Sequence, residues 1–130
     1  MSDIVELTLP VQGDLVVLAR FAAGTIASRA NFDVEEIEDL RLAVDELCIS
    51  LADGQKDGRL QLRYLRDRDH IEVVCAFIAA SGGDGTSPTV EEKDDLSARV
   101  VEALVDEHGH DSEGGHPRAW LRKQRTSRPN

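Results

Sequence analysis

Residues 33–54 carry a full set of helix instructions. Asp33 is a good N-cap, and Glu36 three positions later completes a capping box. Phe32 and Ile37 are placed to form a hydrophobic staple across that start. Ile37, Leu40, Val44, Leu47, Cys48 and Leu51 then recur at the helical period and mark one apolar face. Gly54 supplies the stop. Asp39, Leu42, Glu46, Ser50 and Asp53 form an adjacent stripe. A helix specified this strongly must bury its apolar side, so the rest of the chain has to provide a layer for it.

The flanking segments provide that layer. Ile4-Val5-Glu6-Leu7-Thr8-Leu9 alternates and is stopped by Pro10, which predicts a first strand. Residues 14–30 follow as a helix, with Leu15, Leu18, Ala22 and Ile26 at helical spacing. Ala19, Ala22, Ala23 and Gly24 predict close packing of this helix, and Arg20 and Arg29 fall on its solvent side. Residues 59–66 alternate, with Leu60, Leu62 and Tyr64 on one side. Asp67-Arg68-Asp69 then turns the chain into a more apolar strand over 70–79, and the pair reads as a hairpin. Residues 81–88, Ser-Gly-Gly-Asp-Gly-Thr-Ser-Pro, read as a flexible loop. A third helix is expected over 94–107, with Leu96, Val100, Ala103 and Leu104 inward and Gly109 as its stop. A second loop over 108–117 leads to a short last strand over 118–122, whose Trp120 is expected to pack against a helix. There is no internal repeat. The order β-α-α-β-β-α-β predicts an α+β two-layer sandwich, with three helices on one face of a mixed, mostly antiparallel sheet.

A chain of 130 residues, 41% of them hydrophobic, has room for one core. The domain is expected to span residues 1–123, with 124–130 as a basic, disordered tail. No apolar run approaches the roughly 18 residues that a membrane helix needs. Met1-Ser2-Asp3 lacks a basic region followed by an apolar stretch, so a cytoplasmic location without a secretory leader is expected. Fifteen Lys and Arg stand against twenty-five Asp and Glu, for a net charge of −10. Arg118, Arg122, Lys123, Arg125 and Arg128 have no acidic residue among or after them, so the preceding chain is more acidic still. Such a body repels nucleic acid and anionic membrane and suits a basic protein partner.

Cys48 and Cys75 sit inside apolar periodic segments and are expected to be buried free thiols. His108, His110 and His116 lie near Asp111, but no regular element fixes their spacing, and a polar loop is expected there.

The run Asp39-Leu40-Arg41-Leu42-Ala43-Val44-Asp45-Glu46-Leu47-Cys48-Ile49-Ser50 resembles the N-box helix of the RsbW/SpoIIAB-like anti-sigma factors. Those are small serine protein kinases with the histidine-kinase-like GHKL (Bergerat) ATPase fold. Phe32-Asp33-Val34-Glu35-Glu36-Ile37 resembles the lead into that helix, and Leu18-Ala19-Arg20-Phe21 resembles the family's first helix. Residues 96–107, with Leu104-Val105-Asp106, resemble its third helix. The resemblance covers roughly residues 4 to 123 and is most specific over 14–51.

The resemblance implies roles for named residues. The N-box glutamate, a general base toward a target serine in the family, is Glu46 here. The asparagine that holds Mg²⁺ four residues later is replaced by Ser50, a shorter and weaker metal ligand. The family's Asp-x-Gly-x-Gly adenine box is not reproduced after the 70–79 strand, where Asp84 is followed by Gly85 and then Thr86. Its Gly-x-Gly-Leu phosphate box aligns with Asp95 and Ser97. Glu91, Glu92, Asp94 and Asp95 crowd that helix start, where they suit the helix dipole and repel a triphosphate. Weak or absent binding of ATP and Mg²⁺ is therefore expected. Arg20 aligns with the family's contacts to a sigma factor and to a STAS-domain anti-anti-sigma protein.

The resemblance thus implies a cytoplasmic, homodimeric regulator of transcription that sequesters an alternative sigma factor and is released by its STAS-domain antagonist. The alternative is an active serine protein kinase that phosphorylates the antagonist with Mg-ATP. A non-catalytic adaptor that binds neither class of partner is the third possibility.

Overall fold

The computed structural model describes residues 3–80 and 95–126. Strand β1 (Asp3–Pro10) leads into α1 (Gly13–Arg29) and α2 (Val34–Ala52). The hairpin of β2 (Arg59–Arg66) and β3 (His70–Ile78) follows. After residues 81–94 come α3 (Asp95–Leu104), β4 (Glu107–Glu113) and β5 (His116–Gln124). The strands form one five-stranded sheet in the order β1-β2-β3-β5-β4. Every neighbouring pair is antiparallel, so the sheet is not mixed within the described residues. The fold is an α+β sandwich consistent with the GHKL type.

The core lies between the helices and one face of the sheet. Leu40, Ala43, Val44, Leu47, Cys48 and Leu51 of α2 are buried there. They meet the inward rows of Leu60, Leu62 and Tyr64 on β2 and Ile71, Val73, Cys75 and Phe77 on β3. Both cysteines are free and fully buried, with their Sγ atoms 4.0 Å apart. The contact with Cys48, and then burial, push the Cys75 thiol above its ordinary range.

The start of α2 follows its sequence closely. Asp33 accepts from the Glu36 N–H at 2.7 Å, and Glu36 accepts from the Asp33 N–H at 2.8 Å. The other oxygen of Glu36 accepts from the Thr126 N–H at 2.6 Å. The Arg125 N–H also bonds to the Asp69 carbonyl, so the chain is attached beyond Lys123, through Thr126. Residues 127–130 of the expected tail lie outside the described residues.

Helix α1 ends in a Schellman motif that the sequence reading did not anticipate. Asn31 adopts φ 66°, while the Asn31 and Phe32 N–H groups bond to the Ser28 and Ala27 carbonyls. The buried stripe of α1 is also not the expected one: Val16, Ala19, Ala23 and Ala27 are inside, and Leu18 is 42% exposed. Small residues allow a close approach to α2, and a Cβ on Gly24 would stand 3.0 Å from the Arg41 side chain.

Several expectations at the C-terminal end are corrected. Helix α3 stops at Leu104 rather than at 107, and its buried residue is Val101, while Leu96 is 72% exposed and Ala103 is exposed. The inward stripe runs through Ser97, Val101 and Leu104, a different phase from the expected one, and so turns Ser97 toward α2. The expected loop over 108–117 is instead mostly strand. β4 pairs along β5, and the hairpin closes at Gly114 and Gly115, with φ 60° and 82°. Two successive positive φ values suit a tight hairpin turn, which glycine enters without a Cβ penalty. Gly109 is therefore not a helix stop but sits opposite Trp120 across the ladder. Trp120 lies on the sheet face away from the helices, since its neighbours Ala119 and Leu121 are the inward pair. A Cβ at Gly109 would come within 3.0 Å of the indole.

Candidate functional site

The site forms where α2, α3 and β4 converge. Glu46 and Ser50 lie one helical turn apart on the edge of α2 beside its buried face. Ser97 reaches them from the first turn of α3. Its hydroxyl donates to Glu46 Oε1 at 2.7 Å, a short bond typical of a charged acceptor. Together with Val101, His108 and His110 these residues line a cavity of about 60 Å³. The structure therefore brings Glu46, Ser50 and Ser97 together, as three of the candidate residues.

The sequence alone puts His108 and His110 in a polar loop without a role. Their spacing of two is a strand signal, and on β4 it points both inward, opposite Leu121 and Ala119. They form the floor of the cavity, with His108 half-buried and His110 exposed. Among the described residues no group of three His, Cys, Asp or Glu side chains is placed to hold a metal ion.

Asp84 and Gly85 lie outside the described residues, as does the rest of 81–94. Asp95 opens α3. Arg20 does not line the cavity. It stands on the other side of α2, where Nη1 meets Asp45 Oδ2 at 3.2 Å, and it covers the Phe21 ring at 5.6 Å. Asp45, immediately before Glu46, is the partner that the sequence did not reveal. Phe21 is 51% exposed, and Leu18, Leu42 and Ile49 are also exposed on these two helices.

Chemically, the arrangement is a carboxylate already occupied by an internal hydroxyl. One Glu46 oxygen accepts from Ser97, leaving the other oxygen and the Ser50 hydroxyl as neighbouring donors toward a cation. A cavity of about 60 Å³ is far below the roughly 300 Å³ at which small-molecule sites begin.

The two-layer sandwich, with Glu46 bordering a cleft, is consistent with a GHKL-type fold. No family model matches the chain. Curated relatives do. The chain is 35% identical over 117 residues to the serine-protein kinase RsbW of Listeria monocytogenes serotype 4a, covering 87% of this chain and 67% of that one. It is 33% identical over 81 residues to the serine-protein kinase RsbW of Bacillus pumilus, covering 57% of this chain. It is 39% identical over 77 residues to that of Listeria monocytogenes serovar 1/2a, covering 56% of this chain. In these last two matches the chain spans about half the relative's length, 49% in each. The chain belongs to the RsbW family. No helix among the described residues is long and apolar enough to cross a membrane.

Proposed function

We propose that this chain is an anti-sigma-factor-like regulator that works without bound nucleotide. It sequesters an alternative sigma factor and releases it when a STAS-domain anti-anti-sigma protein competes for the same surface. The observation that carries this reading is the Ser97–Glu46 hydrogen bond, in which a side chain of α3 engages the carboxylate that would otherwise face a nucleotide and its target. Family membership supports the partner classes. The net charge of −10 supports a basic partner surface, such as the one a sigma factor presents to DNA. The partner surface is the exposed side of α1 and α2, where Arg20, held by Asp45, covers the exposed Phe21 ring, and where Leu18 and Leu42 are also exposed. An arginine flanked by exposed aromatic and aliphatic groups is a good interface anchor. The regulator works in the cytoplasm as a homodimer.

The test is competition. A purified STAS-domain antagonist from the same source organism should displace the sigma factor from this chain with no nucleotide present, and Arg20→Ala should weaken both complexes at least tenfold. Failure of both partners to bind at micromolar concentration would reject the proposal.

A second reading keeps the enzyme. Glu46 is retained in a cleft, and the relatives carry the name serine-protein kinase. In that reading Glu46 takes the proton of the antagonist's serine hydroxyl as that oxygen attacks the γ-phosphorus of Mg-ATP and ADP leaves. Incorporation of phosphate into the antagonist, lost in Glu46→Gln, would establish it over the first.

A further inference from the structure

An apolar cavity among the described residues lies remote from Glu46. It opens where α1 leaves the β1 edge of the sheet uncovered. Val5 belongs to the inward row, paired with Tyr64, yet is 41% exposed. The space between Val5, Tyr64 and the α1 residues Ala22 and Ile26 measures about 370 Å³, within the range of small-molecule sites. Its interior offers no free polar group. The Tyr64 ring is fully buried, and its hydroxyl already donates to the Ala19 carbonyl at 2.8 Å.

Polar groups are confined to the rim, and they are mainly cationic. Arg29, in the last turn of α1, is exposed and has no carboxylate partner among the described residues. Arg66 converges on the same rim, donating to the Arg29 carbonyl at 3.4 Å and pairing with Asp3 at 2.8 Å. Thr25 adds a hydroxyl. An apolar chamber with a guanidinium at its mouth matches one chemistry: a hydrocarbon body inside and a carboxylate outside, which the planar guanidinium grips through two hydrogen bonds.

We propose that this cavity binds a small amphipathic monocarboxylate, with an alkyl or aryl chain against Val5, Ala22, Ile26 and Tyr64 and its carboxylate on Arg29 and Arg66. The site is separate from the Glu46 cleft, and its occupancy does not depend on how the nucleotide question is resolved.

The probe is octanoate, titrated into the ¹⁵N-labelled full chain below its micellar range, with 1-octanol as the neutral control. The expected result is saturable shifts of the Val5, Ile26 and Tyr64 amides, with octanol at least tenfold weaker. Arg29→Gln, a surface change, should weaken octanoate about tenfold and leave octanol unaffected. Ala22→Leu should block both ligands by filling the chamber. Absence of shifts, shifts confined to other residues, or equal affinity for octanol and octanoate would each overturn the proposal. So would an Arg29→Gln variant that binds octanoate as the wild type does, which also keeps the test decisive if Ala22→Leu fails to fold.

Discussion

The Ser97 hydroxyl lies 2.7 Å from Glu46 Oε1, joining the first turn of α3 to the edge of α2. In the RsbW-like pattern this α3 position is a glycine, which has no side chain to offer. The serine here makes a contact between the two helices. The contact fills space, consumes an acceptor of the carboxylate and fixes the distance between the helices.

Ser97→Gly should therefore loosen the cleft and recover nucleotide sensitivity. With millimolar Mg-ATP the wild-type melting temperature should move by less than a degree. The glycine variant should gain several degrees, since a ligand at a hundred times its dissociation constant adds about 2.7 kcal/mol. Equal shifts in the two proteins would show that Ser97 does not block the site.

Glu36 is expected to be among the most sensitive charged residues of the fold. It is 6% exposed, and its two oxygens hold the Asp33 and Thr126 N–H groups. Glu36→Ala should cost about 1–3 kcal/mol in urea unfolding, as a lost cap plus part-buried donors left without their acceptor. A change below about 0.5 kcal/mol would contradict this account of the α2 start.

Stability should fall at alkaline pH for an identifiable reason. Burial, with smaller contributions from Cys48 and Cys75, raises the Tyr64 phenol well above its ordinary value of 10.0, and the Cys75 thiol lies well above its ordinary 9.0. Both groups are held protonated in the folded state. They contribute stability in full below the unfolded values, and that contribution drains away as pH rises through the unfolded values toward the folded ones. Urea unfolding from pH 8 to 11 should show a decline that is shallower in Cys75→Ala and in Tyr64→Phe. An unchanged slope in both variants would assign the decline to other groups. At neutral pH Tyr64→Phe should also cost about 1 kcal/mol, because the Ala19 carbonyl loses its phenol donor.

Gly109→Ala tests the strand that replaced the expected loop. Its new Cβ would press on the Trp120 ring at 3.0–3.1 Å. The indole must move or β4 must shift, at a cost of about 1–3 kcal/mol. Trp120 is the sole tryptophan, so its fluorescence reports the change directly. In a loop, the same substitution would leave both stability and emission unaltered.

Much of the architecture was legible because local and global signals agreed. The capping box at Asp33 and Glu36, the alternation of β2 and β3, and the apolar face of α2 each say the same thing at the level of the residue and of the sheet. Strand β4 was not legible: Glu-His-Gly-His-Asp-Ser-Glu has no apolar residue, and pairing with β5 makes it a strand. The Gly114-Gly115 pair was its available signal, and His108 and His110 gave the period. The phase of α3 was lost for a related reason. Leu96 looked like a core residue from its type, but tertiary packing set the inward stripe through Ser97 and Val101. At the site, the alignment singled out Glu46, Ser50 and Ser97, yet no pattern along the chain could show that Ser97 would donate to Glu46. Nor could it show that Asp45 would hold Arg20, because both pairs are made between elements far apart in sequence.

The most direct test of a nucleotide-independent regulator is the affinity of this chain for purified alternative sigma factors of its source organism, by calorimetry, with and without millimolar Mg-ATP. The account predicts submicromolar binding to one of them, equal within threefold in the two conditions. Binding that appears only with Mg-ATP, or that strengthens tenfold or more when it is added, would contradict it.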